Sequence, residues 1–179
     1  MKLENSRRDF IKKTTIAGAA LSAIPSLALG KVNLKNKEML KLGLIGVGLR
    51  GTNHLRNVLL RDDVLVTAIC DIDQARIDLS LDAITKAEKP KPKVFGSNEY
   101  DYRNLLEMTD VDAVIISTPW LWHTRMAKES MSAGKYTGLE VSAANTLEEC
   151  WDLVNVHEKT GTHLKILENE NYRRDVMAE

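Results

Sequence analysis

The sequence predicts an α/β protein built on a doubly wound parallel sheet. Short β-rich apolar runs alternate with longer stretches of helical periodicity, turn residues separate them, and a glycine-rich loop joins the first run to the first helix. Candidate strands are Leu42–Val47, Val64–Cys70, Ala113–Ser117, Tyr136–Leu139 and His163–Leu167. Candidate helices are Leu49–Leu60, Gln74–Glu88, Leu121–Ala133 and Leu147–Lys159, with a shorter one over Asp101–Met108 that buries Leu105 and Leu106. Strands joined by helices of this length form right-handed crossovers and so a parallel sheet.

The first thirty residues stand apart from this pattern. Ser6-Arg7-Arg8-Asp9-Phe10-Ile11-Lys12 precedes an uncharged run, Thr14 to Gly30, rich in Ala, Leu and Ile and interrupted by Pro25. A basic segment, a short apolar segment and small residues at Ser26-Leu27-Ala28 describe an export signal, and the paired arginines make it the twin-arginine kind. A permanent membrane span takes about 20 apolar residues, and this uncharged run of about 17, broken by Pro25, is short for one, so an anchor is not expected. The expected location is periplasmic or extracellular, with the twin-arginine export machinery as a partner. Residues 31–40 read as a linker, and 41–179 as the folded domain.

Within the domain, Thr146 and Glu149 form a T-x-x-E capping box that starts the last helix, Leu147, Trp151 and Val154 fall on one of its faces, and Gly161 closes it. Gly134 ends the preceding helix in the same way. Lys89-Pro90-Lys91-Pro92-Lys93 reads as a solvated loop entering a further strand. The 179 residues carry no net charge, with 28% charged and 44% hydrophobic, which gives no electrostatic reason to expect a nucleic acid partner. Cys70 and Cys150 both sit inside apolar patterns, which points to buried free thiols; neither has metal-site spacing, and no metal is expected.

The chemistry-bearing motif is Gly46-Val47-Gly48-Leu49-Arg50-Gly51, a G-x-G-x-x-G that closes an apolar strand and opens a helix. Gly46 permits the tight turn, Gly48 lets a diphosphate approach the backbone, and Gly51 lets helix and strand pack closely. The helix N-terminus offers free N–H groups and the positive end of its dipole. Asp71 ends the next strand, about 20 residues beyond Gly51, where an acceptor-only carboxylate can bind the adenosine ribose hydroxyls. These features predict a Rossmann-type domain with NAD as cofactor. The Asp71 carboxylate would repel the 2′-phosphate of NADP, although an arginine such as Arg76 can accommodate that phosphate. Ser117-Thr118-Pro119-Trp120-Leu121-Trp122-His123 follows another strand at its carboxyl end, where ligands of open α/β sheets lie, so the two tryptophans and His123 are candidates for the nicotinamide end.

Taken together, the glycine loop, Cys70-Asp71 and Ser-Thr-Pro before a histidine-bearing helix resemble the glucose–fructose oxidoreductase/inositol dehydrogenase/MocA family. Thr118 to His123, Gly138-Leu139-Glu140-Val141-Ser142-Ala143-Ala144, Glu149 to Val154 and Leu167 to Met177 narrow the resemblance to the NAD-dependent α-N-acetylgalactosaminidases of glycoside hydrolase family 109. The resemblance implies NAD contacts at Leu49, Arg50, Asp71, Trp120, Leu121, Trp122, His123, Glu140, Val141 and Asn169. Dehydrogenases of the wider family carry Glu-Lys-Pro where this chain reads Glu140-Val141-Ser142, and valine cannot transfer a proton. The implied reaction takes hydride from the sugar C3, eliminates the aglycone across C2 and C1, adds water and returns the hydride. NAD is then regenerated in each turnover, unlike in two-carboxylate hydrolysis.

The resemblance also implies a second, substrate-binding domain, largely absent here, so the catalytic groups are expected mostly beyond residue 179 and the chain reads as the N-terminal part of such an enzyme. A small glycoside or sugar is the expected substrate, and a homo-oligomer is left open. Two other readings stand beside this one: an NAD-dependent sugar or polyol oxidoreductase of the same superfamily, and a truncated, non-catalytic nucleotide-binding fragment.

Overall fold

The computed structural model describes residues 39–168; the arginine pair, the apolar run behind it and Asn169 lie outside the described residues. The elements are β1 (Leu40–Ile45), α1 (Leu49–Leu59), β2 (Val64–Cys70), α2 (Gln74–Lys86), β3 (Lys93–Phe95), α3 (Tyr102–Leu106), β4 (Ala113–Ile116), α4 (Trp120–Ser132), β5 (Tyr136–Glu140), α5 (Leu147–Thr160) and β6 (Leu164–Leu167). The strands form one 6-stranded sheet in the order β3-β2-β1-β4-β5-β6, and every neighbouring pair is parallel. This is the doubly wound α/β arrangement expected from the sequence.

Strand alternation explains the two layers of core. Leu42 and Leu44 of β1 face α1 and α2, where they pack with Leu55, Val58, Ile77 and Ile84. Ile45 points to the other face, onto Tyr102, Leu105, Met126 and Leu139. Gly43 lies on that second face, and a Cβ there would stand 2.8 Å from Leu105 Cδ2, so the missing side chain makes room for α3. Connections that move left from β1 and those that move right must lie on opposite faces if each crossover is right-handed. On the α1 side, β4 to β6 accordingly carry an open apolar groove of about 290 Å³, lined by Ala113, Ile115, Tyr136 and Gly138.

Several local expectations change. The first strand begins at Leu40, inside the expected linker, because Leu40 pairs with Val64 and its N–H donates to Asp63 O at 2.9 Å. The strand β3 has no alternating pattern, since Lys93 and Val94 are both exposed; its register on Ala68 and Ile69 gives it its place. On α5, Leu147, Trp151 and Val154 face solvent, and so does Cys150, contrary to the buried thiol expected there. The packed side of α5 carries Leu153 and Val156 instead. Cys70 is buried and free, and burial pushes its thiol up to about 12. The capping box closes with a shift of one residue: Thr146 Oγ1 accepts from Glu149 N at 3.2 Å, while Glu149 Oε2 accepts from Asn145 N at 2.7 Å.

The loop between β3 and α3 is held by one carboxylate. Buried Asp101 accepts from the amides of Ser97 and Gly96 at 2.8 and 2.6 Å, and from Asn104 Nδ2 at 2.6 Å. These bonds, the Ser97 amide foremost, hold its pKa down to about 2 from 3.8. A depressed folded pKa means the stabilisation is complete above the unfolded value and disappears as pH falls through the folded one. Urea unfolding measured across pH should therefore show stability falling from about pH 4 to pH 2. Asp101→Asn should lower stability at neutral pH and flatten that slope; an unchanged slope would contradict the assignment.

Candidate functional site

The strand order reverses between β1 and β4, and a cavity of about 420 Å³ opens there at the carboxyl ends of the strands. Gly46 leaves β1 with φ 83°, and a Cβ on it would lie 2.7 Å from Ser117 O. At Gly51 the constraint is tighter, because a Cβ would lie 1.9 Å from Gly46 O. The first turn of α1 is thereby seated directly on the end of β1. Thr52 Oγ1 donates to Val47 O at 2.9 Å and ties the same turn to the loop.

Gly48 differs from its two neighbours. Among the described residues a Cβ there meets nothing within 4 Å, so none of their atoms demands glycine at this position, and the freed space borders the cavity. Gly48 is also the N-cap of α1, which has no side-chain cap and no acidic residue in its first turn. By contrast α2 is capped by Asp73 and α5 by Thr146. The end of α1 at the cavity therefore keeps unsatisfied N–H donors and an uncompensated positive dipole, the arrangement an anionic diphosphate satisfies.

Across the cavity, Asp71 holds the second half of the site. One carboxylate oxygen, Oδ2, accepts from Val47 N at 2.7 Å, and the other, Oδ1, accepts from Asp73 N at 3.0 Å. Each oxygen retains a lone pair for a ligand hydroxyl. Asp71 thus shapes the glycine loop as well as facing the place where a ribose would sit. Arg76 lines the same cavity, with Nε 3.9 Å from Asp73 Oδ2. Tyr102 forms part of the wall; its hydroxyl donates to Glu129 Oε2 at 2.8 Å, and burial pushes its phenol up to about 12.

The remaining residues expected at the site are distributed unevenly. Trp122 lines the cavity and meets Tyr100 edge to face, whereas Trp120 and Leu121 are exposed beside a separate shallow depression at Asn145. His123 is buried, and its Nδ1 and Nε2 each lie 2.7 Å from a backbone carbonyl, Ser142 O and Thr118 O respectively. Its ring bridges the ends of β4 and β5. Glu140 is buried at the end of β5, where its Oε1 accepts from Arg50 Nε at 2.9 Å and meets His54 Nε2 at 2.5 Å. Arg50 is thereby turned onto Glu140. Leu49 is 80% exposed at the helix tip, and Val141 stands 37% exposed just past β5. The sequence reading did not include His54, nor Asn98 and Glu99, which the β3–α3 loop brings to the cavity. No periodic or spacing signal marks any of the three.

This geometry agrees with the comparisons. The family described as "Oxidoreductase family, NAD-binding Rossmann fold" (Gfo/Idh/MocA) matches residues 40–167, most of the chain. The chain belongs to that family. Its NAD-binding domain is also similar to an α-N-acetylgalactosaminidase of Tannerella forsythia, 46% identical over 98% of this chain. A glycosyl hydrolase family 109 protein of Parabacteroides distasonis is 44% identical over the same share. The chain spans 41% of the length of each of these relatives. Among solved structures, the myo-inositol dehydrogenase of Lactobacillus casei in complex with NAD(H) and myo-inositol superposes with TM-score 0.68 at 22% identity, covering 78% of this chain and 40% of that one. The scyllo-inositol dehydrogenase of the same organism, without cofactor, gives TM-score 0.66 at 19% identity, covering 77% of this chain and 39% of that one. These likenesses show the fold.

The glycines separate structural from ligand-driven demands. Gly48→Ala should leave the thermal midpoint unchanged and weaken NAD binding on the order of ten-fold or more, because its methyl occupies the diphosphate space. Gly51→Ala should lower both, since its methyl must displace Gly46 O. Thermal melts and calorimetric titration check the pair; a large loss of stability in Gly48→Ala would contradict this division.

Proposed function

We propose that this chain is the NAD-binding half of an exported glycosidase that hydrolyses α-N-acetylgalactosaminides. The observation that carries the glycosidase reading is Val141. It stands at the carboxyl end of β5, where the dehydrogenases that the chain resembles place a lysine, and its side chain can neither give nor take a proton. The similarity to the Tannerella forsythia α-N-acetylgalactosaminidase supports the same direction.

When bound, NAD supplies a hydride acceptor that is restored within each turnover, so the bond is hydrolysed without net oxidation. The chain's own residues bind and orient. The amides of the first turn of α1 take the diphosphate, with the open space at Gly48 allowing its approach. Asp71 accepts from the adenosine ribose hydroxyls and disfavours a 2′-phosphate by like charge. Glu140 pins Arg50 and His54, and with them the first turns of α1, to the end of β5. His123 holds the carbonyl ends of the β4 and β5 loops together on the side proposed for the nicotinamide. Groups that move the sugar protons are assigned to the length by which the relatives exceed this chain.

Calorimetric titration should show NAD binding to the chain, with NADP weaker on the order of ten-fold, and Asp71→Ala should remove most of that affinity. A protein of the relatives' full length should release nitrophenol from a nitrophenyl N-acetylgalactosaminide while NADH absorbance stays flat. Steady accumulation of NADH would instead identify a sugar or polyol oxidoreductase. Export is proposed from Arg7 and Arg8 with the apolar run that follows them. Lysine at both positions should hold the protein in the cytoplasm, and undiminished export would contradict the twin-arginine route.

A further inference from the structure

Ser117 follows β4 at its carboxyl end, and its N–H donates to Ile45 O at 2.8 Å, which fixes its backbone against β1. Its Oγ is the one buried side-chain nitrogen or oxygen among the described residues that has no hydrogen-bond partner. Other buried serines are satisfied: Ser80 Oγ donates to Arg76 O at 2.8 Å, and Ser130 Oγ pairs with Thr137 Oγ1 at 2.7 Å. The exception therefore calls for a physical reason.

Position supplies one. Ser117 lines the same cavity as Gly46 and Gly48, and a Cβ on Gly51 would lie 3.6 Å from Ser117 Cβ. Ser117 thus stands against the glycine loop that leads into the uncapped end of α1. A serine hydroxyl carries one hydrogen to donate, and the cavity at that end is bordered by the N–H groups of the helix, which offer no acceptor. An anion seated on those same N–H groups would supply the acceptor it lacks.

We propose that Ser117 donates its hydroxyl hydrogen to the diphosphate of the bound dinucleotide, directly or across one water, and is a binding residue of this site. The inference rests on the NAD-binding reading above and adds a donor at the floor of the diphosphate site to the amides of α1. The free chain carries an unpaired hydroxyl, and binding pairs it.

Ser117→Ala separates this role from a structural one. Removing a hydroxyl that pairs with nothing should leave the thermal midpoint of the free chain unchanged or raise it. The same change should weaken NAD and ADP by roughly five- to ten-fold while leaving adenosine, which has no diphosphate, bound as before. Equal losses for all three ligands, an unchanged NAD affinity, or a lowered midpoint would each overturn the proposal. The two readings fail differently. A wild-type chain that binds neither NAD nor ADP removes both, whereas normal wild-type binding with an indifferent Ser117→Ala removes only the role of Ser117.

Discussion

Of the glycines in the site, Gly51 leaves the least room for a side chain. With hydrogen alone at Gly51, the first turn of α1 rests on Gly46 O, where a methyl would come within 1.9 Å. That contact aims the free amides of the helix into the cavity. A side chain at Gly51 would lift the helix and turn its dipole away from the place where a diphosphate must sit. The rest of the site is arranged around an axis set by this one approach.

Asp71 and Glu140 secure that axis from two directions. Asp71 reaches from β2 to the amide of Val47, so the loop between Gly46 and Gly48 is held by the same carboxylate that faces the ribose position. Loop shape and the ribose recognition proposed for Asp71 therefore rest on the same residue, and its loss would act on both. Glu140 reaches from β5 to Arg50 and His54 on α1. Removing Arg50 would leave the buried Glu140 carboxylate with less compensation, whereas Arg50, 39% exposed, keeps its contact with solvent if Glu140 is removed. The helix that presents the amides is thus clamped to strands on both sides of the topological reversal.

Most of the fold was readable from the sequence because its signals are local. The apolar run from Leu42 to Val47, the capping pattern at Thr146 and Glu149, and the left-handed residue at Gly161 each depend on neighbours a few positions away. The glycine motif was readable for the same reason, with Asp71 at a spacing set by one βαβ unit. What the sequence did not disclose depends on tertiary neighbours. Helical spacing shows that Leu147, Trp151 and Val154 share a face, but only packing shows that the opposite face, with Leu153, is the buried one. The segment Trp120 to His123 reads as one motif, yet the turn of α4 sends Trp122 into the cavity, His123 into the core, and Trp120 and Leu121 outward. His54 acquires its partner across 86 residues of chain, a distance over which spacing carries no signal.

The account stands most directly on where a dinucleotide binds. Backbone amide resonances recorded by ¹H–¹⁵N correlation during addition of NAD test this residue by residue. The account predicts that shifts concentrate at Gly48 to Gly51, at Asp71 to Asp73 and at Ser117 to Thr118, with the amides of β6 and the far end of α5 unmoved. Saturating NAD that left the amides of Leu49, Arg50 and Gly51 unchanged would contradict it.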